Sequence, residues 1–337
     1  MTTLPRRLGP DRGDAATIEW LLASKEPAIR RLVRQHLLNE VAAREAADVL
    51  EGPVVRALLD GQQPDGGFGG HPYNKWVGAH WRLVSLAELG VPAGEPRAMA
   101  ALEQVLDWIA GASHRKAVPV IEGLARRCGS QEGNALAVAC RLGAAHDERV
   151  RLLVDGLLGW QWPDGGWNCD RRTGAHRSSF HETLPPVWGL HEYAAATGDA
   201  DATTAARRGA ELFLDHGLYR SLSTGETIKA EWLTPHWPPY WHYDVLQALV
   251  VLERMGLGAD ERAAGALEQL VRRRRADGRW AGSNRWWKPP GSRRAPEAVD
   301  WRIDDAGDRM ATLRALTVLR AATEPSRTDA LSASRPT

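Results

Sequence analysis

The sequence predicts an all-α protein, an (α/α)6 toroid with six inner and about six outer helices around a central cavity. Three observations predict it. A turn phrase built on Asp-Gly and an aromatic residue recurs at long intervals. Mostly apolar helices end on glycine at a nearly constant spacing, and helices with one apolar stripe fall between them. No segment keeps the two-residue alternation of a half-buried strand, so no sheet is expected.

The turn phrase occurs as QQPDGGFGG at 62–70, QWPDGGWNCD at 161–170 and RRADGRWAGS at 274–283. Asp-Gly supplies turn chemistry, and the aromatic that follows packs against neighbouring helices. The apolar helices read as NKWVGAHWRLVSLAEL before Gly90, QEGNALAVACRL before Gly143, HETLPPVWGLHEYAAAT before Gly198 and YWHYDVLQALVVLERM before Gly256, with glycine intervals of 53, 55 and 58 residues. A glycine at that position takes the left-handed conformation that satisfies the last carbonyls of a helix. DDAGDRMATLRALTVLR at 304–320 adds a copy without the glycine, and the shorter PAIRRLVRQHLL at 27–38 opens the series.

The intervening helices are one-sided. Met99, Leu102, Val105, Leu106 and Ile109 share a face that Arg97, Glu103, Gln104 and Asp107 avoid, and Ala263, Ala266, Leu267, Leu270 and Val271 repeat the pattern. Buried helices alternating with half-exposed ones imply two concentric layers. An open helical solenoid is the competing architecture, with shorter and more regular repeats. One domain is expected over 15–322, with 1–14 and 323–337 disordered.

Composition narrows the function. A formal net charge of +1 gives no reason to expect nucleic acid. The three cysteines, Cys128, Cys140 and Cys169, form no disulfide framework and point to a reducing cytoplasm. The start MTTLPRRLGPDRGD has no apolar signal core, and no apolar run is long enough to span a membrane. Fifteen Trp against three Phe and five Tyr place many indoles at turns or along a cavity, where their N–H finds a partner. Heavy Arg and Ala usage fits a bacterial, high-GC origin.

The turns from Gln63 to Phe68, Gln161 to Trp167 and Asp277 to Trp280 resemble the QW repeats of squalene and oxidosqualene cyclases and of protein prenyltransferase β-subunits. The resemblance runs from about Ala15 to Ala322 and implies one helical barrel, where triterpene cyclases have two. Such cyclases protonate an alkene with an Asp-x-Asp-Asp motif. The nearest match is Asp305-Ala306-Gly307-Asp308, with glycine at the proton donor's place and Asp304 as the substitute acid. The prenyltransferases hold zinc with an Asp-x-Cys pair and a later His; His242 in PPYWHYDVL resembles that His, while HRSSFHET offers no Asp-x-Cys. HPYNKWVGAHW, GGWNCD, SSFHET and WHYD are similar to strings in small single-barrel bacterial relatives of squalene cyclases.

In such a ring the inner helices run parallel, so their N-termini, with free N–H donors and partial positive charge, gather at one mouth. Lys75 and His80, Gln131, Glu132 and Asn134, His181 and Glu182, His242 and Asp244, and Asp304, Asp305 and Asp308 all fall there. As catalytic residues we read His181, Glu182, His242, Asp244, Asp305 and Asp308; as substrate-binding ones, Lys75, Trp76, His80, Glu132, Trp188, Trp241 and Asp304. The acids serve equally as helix caps, Cys169 and Asp170 as turn residues, and the tryptophans as packing or as cation-stabilising walls. The long link with Arg220 and Lys229 reads as a lid, a binding loop or plain surface.

The function expected is a cytoplasmic small-molecule cyclase or lyase of bacterial specialised metabolism, using carboxylate–His acid/base chemistry on a polar or partly ionic substrate, with no cofactor. A zinc-dependent prenyltransferase with Cys169, His181, His242 and Asp244 as ligands, a protonating terpene cyclase and a non-catalytic binding toroid are the alternatives.

Overall fold

The computed structural model describes residues 12–41, 48–116, 118–282 and 297–323. Of the ends read as disordered, residues 1–11 and 324–337 lie outside the described residues, and Arg12 already opens a helix. The chain is mostly helical.

Twelve α-helices are described: α1 (Arg12–Leu22), α2 (Pro27–Leu37), α3 (Pro53–Leu59), α4 (Ala79–Glu88), α5 (Pro96–Ala110), α6 (Gly129–Arg141), α7 (Glu148–Trp160), α8 (Phe180–Thr197), α9 (Ala200–Asp215), α10 (Val245–Arg254), α11 (Ala264–Arg272) and α12 (Ala306–Ala321). From α4 onward two kinds alternate. α4, α6, α8, α10 and α12 are buried over most of their surface, whereas α5, α7, α9 and α11 bury a single stripe. α2 is one-sided, because Arg30, Arg31, Arg34 and Gln35 interrupt its apolar face.

Contacts run α4–α6–α8–α10–α12 and return to α2 through α12, while the one-sided helices pack on their buried neighbours. Arg31 donates to the Gly90 carbonyl at 2.6 Å and so ties α2 to the end of α4. Between α12 and the chain start, Asp304 accepts from Ser24 Oγ and the Lys25 amide, both at 2.8 Å. The stop signals are as the glycines imply: Gly90, Gly143, Gly198 and Gly256 have φ of 72°, 87°, 78° and 73°.

Two details differ from the expectation. A small hairpin pairs β1 (Val120–Ile121) with β2 (Leu124–Ala125). Its turn residues Glu122 and Gly123 both have positive φ, the mirror-image turn that matches strand twist, and two-residue strands are too short to show a period. The first turn phrase also pairs by Gln62, not Gln63. Gln62 Nε2 donates to the carbonyls of Gly66 and Arg97, as Gln161 does to those of Gly165 and Ala205. Each glutamine thus closes its turn and staples it to the next one-sided helix. Trp167 and Trp280 donate their indole N–H to Leu157 and Leu270 on the preceding helix, which is why these turns take tryptophan.

Candidate functional site at the helix amino termini

The turn before α8 is fixed to α8 from two sides. The Ser179 amide donates to the Trp167 carbonyl at 2.9 Å, and the Trp167 amide to Thr183 Oγ1 at 3.1 Å. Between these bonds sits Glu182. One of its oxygens accepts the Ser130 amide at 3.0 Å, and the other faces Cys169 Sγ at 3.7 Å. Cys128, just before α6, completes a group whose two sulfurs and carboxylate oxygen lie within 4.8 Å of one another. Burial pushes the Glu182 carboxyl above the usual range, against the pull of the Ser130 amide. The hydrogen bond between the thiols holds Cys128 protonated and favours thiolate on Cys169. Cys128 carried no signal in the sequence beyond preceding an apolar helix, as Cys169 does.

His181, beside Glu182, accepts the Tyr243 amide at Nδ1 (2.8 Å), which leaves the ring proton on Nε2. Burial, and then the charges of Lys229 and His236, push this imidazole down to about 4, so it is neutral at physiological pH. His242 is buried, stacks on Trp241 with ring centres 4.2 Å apart, and lies 6.2 Å from the His181 ring. Asp244 is a completely buried cap. It accepts the Gln247 amide at 2.8 Å and the His236 amide at 2.9 Å, and pairs with the His236 ring. His236, missed in the sequence because it lies in a proline-rich link, is its side-chain partner.

Lys75 is exposed, with Nζ 4.9 Å from the Trp241 ring, 5.3 Å from Trp76 and 6.0 Å from Tyr73. Partial desolvation lowers its pKa, against the attraction of Glu182 and Cys128. Trp76 is buried and stacks on Tyr240 at 4.5 Å. His80 is buried behind it among Tyr73, Trp81 and Trp108. Glu132 is clamped by Arg127 (2.8 and 2.7 Å) and His114 (3.0 Å). Trp188 lies towards the opposite helix ends, donating to Glu192 at 2.8 Å between Arg141 and Arg254.

The three aspartates of the last helix have separate surroundings. Asp304 joins α12 to the Ser24–Lys25 corner, and Asp308 accepts the Gly282 amide at 2.9 Å and pairs with Arg275 at 3.0 Å. Asp305 is exposed, in a left-handed conformation, and makes no capping bond with its side chain. No bond joins the three to His181, Glu182 or His242 among the described contacts.

Between α6, α8 and α10 lies a partly open chamber of about 400 Å³, continuous with solvent on one side. Leu184, Pro185, Trp188, Tyr240, Trp241, Val250 and Val251 form its apolar walls, with Asn134, His242 and Gln247 as polar points and Glu88 and Arg254 at one end. Asn134 Oδ1 and Trp241 Nε1 are buried with no hydrogen-bond partner among the described residues. The chamber thus joins apolar walls to a few polar and charged groups.

The zinc set drawn from the prenyltransferase resemblance is not assembled. Asp244 spends its oxygens on backbone amides and His236, His181 commits Nδ1 to Tyr243, and Cys169 turns to Cys128 and Glu182 instead.

No family model and no curated protein matches the chain. Among solved structures it is similar to a protein from Actinoplanes at 20% identity, covering 93% of this chain and 90% of that one, with a TM-score of 0.41. It is also similar to the type II terpene cyclase MstE from Scytonema without ligand, at 15% identity, 80% and 96% coverage and a TM-score of 0.32. A complex of an MstE variant with its substrate, geranylgeranyl dihydroxybenzoate, aligns at 14% identity, 80% and 95% coverage and a TM-score of 0.31. These are remote likenesses.

Proposed function

We propose that the chain is a small-molecule enzyme of the cyclase or lyase type, working in the interior of a toroid whose inner helices are α2, α4, α6, α8, α10 and α12. The observation that carries the reading is the chamber itself. Trp241 and Asn134 line it, and each carries a buried polar atom with no hydrogen-bond partner among the described residues; such a group costs about 1–3 kcal/mol unless something fills the gap. A ligand with an apolar body and a polar group satisfies both.

His242 is the acid/base group of this reading. Its imidazole lines the chamber, and stacking on Trp241 fixes the ring plane. An imidazole passes a proton to a departing group, or takes one from the carbon or heteroatom that closes a ring, at no net charge to the chamber over the cycle. Tyr240 and Trp241 line the chamber and can offer π-density to positive charge developing on the substrate, with Trp76 stacked behind Tyr240. His181 and Lys75 stand next to its lining residues His242 and Trp241, and Asp244, Asp304 and Asp308 hold the ends of the helices α10 and α12.

The test is conversion. The purified chain is incubated with a small-molecule extract of the cells that express it, and substrates consumed are followed by mass spectrometry. His242→Ala should lose the conversion by a factor of about 100 or more with its helical circular dichroism unchanged, since general acid/base groups contribute that much. A His242→Ala protein that converts the same compound at the wild-type rate would place the chemistry elsewhere.

A further inference from the structure

We propose that Cys128, Cys169 and Glu182 form a zinc site where the amino termini of α6 and α8 meet. The site goes beyond the His242 reading and stands on separate side chains. The donor atoms lie close enough for small side-chain movements to bring them round one tetrahedral ion. With Zn–S of about 2.3 Å and Zn–O of about 2.0 Å, tetrahedral edges are about 3.8 Å between sulfurs and about 3.5 Å from sulfur to oxygen. Cys169 Sγ lies 3.7 Å from Glu182 Oε1, and all three donor atoms are within 4.8 Å of one another.

The backbone holds them there. The Arg127 amide donates to the Asn168 carbonyl at 3.2 Å, which sets Cys128 beside Cys169 although they belong to different repeats. Trp167, two residues before Cys169, is bonded to Ser179 and Thr183 and thereby to the first turn that carries Glu182. The Ser130 amide occupies Glu182 Oε2 and leaves Oε1 turned to the sulfurs, the supporting bond that orients a metal-binding carboxylate. Both cysteines are half-buried and Glu182 is 8% exposed, so the site is shielded yet reachable.

Chemistry selects the ion. Two thiolates and one carboxylate suit zinc and exclude magnesium and calcium, which take oxygen sets. Binding releases to solvent the protons that the thiols still carry, that of Cys128 first among them. Two thiolates, a carboxylate and a divalent cation sum to one negative charge, which the ammonium of Lys75, close enough to feel both Glu182 and Cys128, balances. Three protein ligands leave a fourth position for water or a ligand group, the pattern of an open site.

The experiment uses the full chain, reduced, stripped with a chelator and titrated with cobalt(II) alone, then with zinc(II). One cobalt per chain is expected, with thiolate-to-cobalt charge-transfer absorption that zinc abolishes. Cys128→Ser and Cys169→Ser should each lose that absorption, and Cys140→Ser should keep it. Because a serine variant can fail to fold, the unmutated chain supplies a second readout: zinc should protect Cys128 and Cys169, but not Cys140, from alkylation. Absence of both absorption and protection overturns the proposal, as does absorption that survives in both variants. His242→Ala should bind cobalt normally, so failure of the metal site and failure of the His242 reading are told apart.

Discussion

His80 shows what burial does to a single side chain here. It is 2% exposed, ringed by Tyr73, Trp81 and Trp108, and its Nε2 has no hydrogen-bond partner among the described residues. Burial first, and then the nearby His114, push its pKa down to about 3. The folded state therefore refuses a proton that the unfolded chain accepts at the ordinary imidazole value of about 6.5. Over that window the unfolded state binds more protons, so stability falls as pH falls. We expect a loss approaching about 1.4 kcal/mol per pH unit from this residue between about 6 and 3, read by urea unfolding across pH. His80→Phe should flatten that part of the profile; an unchanged slope would show that His80 is hydrated. The acids of the mouth follow the same local logic with different outcomes: Asp244 finds amides and His236, while Glu182 finds one amide and two thiols.

At the scale of elements, α6 and α8 pack with their backbones close together, and small residues make it so. A Cβ on Gly133 would stand 2.2 Å from Pro186 N and 2.3 Å from the Pro185 carbonyl carbon, and one on Gly189 would stand 2.4 Å from the Gly133 carbonyl oxygen. Backbone cannot yield as a side-chain tip does. Pro185 and Pro186 deepen the contact, because they remove the N–H groups that would bond the carbonyls of His181 and Glu182 within the helix. Gly133→Ala should therefore destabilise by about 3 kcal/mol through overpacking, despite the roughly 1 kcal/mol that alanine gains in a helix. Gly159→Ala, in α7 with nothing within 4 Å of the new methyl, should instead stabilise by about 0.5–1 kcal/mol. Chemical denaturation of the two variants decides the point, and equal signs would refute the packing account.

Across the whole molecule, a buried ion cluster links helices from three parts of the chain. Glu88 at the end of α4 pairs with Arg254 of α10 at 2.9 Å and Arg314 of α12 at 2.6 Å. Burial alone would raise the Glu88 carboxyl, but Arg254, Arg314 and Arg141 outweigh it and hold it well below the usual range. Removing the acid strands two guanidinium groups in the interior. Glu88→Ala should cost about 3–5 kcal/mol, the typical loss for one partner of a buried pair. A depressed carboxylate pKa contributes stability above the ordinary carboxylate range that is lost on acidification, so the variant's deficit should shrink as pH falls through that range. A deficit under 1 kcal/mol at neutral pH would mean that water reaches the cluster.

The sequence by itself determined what depends on neighbours along the chain. The four glycine stops, the alternation of all-buried and one-sided helices and the repeated Asp-Gly turns follow from periodicity and backbone sterics, and they appear where the residues place them. Gln62 in place of Gln63 was one residue beyond its reach, because adjacent glutamines look alike until the Arg97 carbonyl arrives from the next helix. Tertiary structure alone decided which partners the polar residues at the helix starts find. An acid in a first turn bonds its own helix or a neighbour's with similar energy, so Asp244 as a cap and Glu182 beside two sulfurs could not be told apart in the sequence. Cys128 met Cys169 only once the Arg127–Asn168 bond joined two repeats, because side-chain chemistry at a site acts over a few ångströms in space, whatever the separation along the chain.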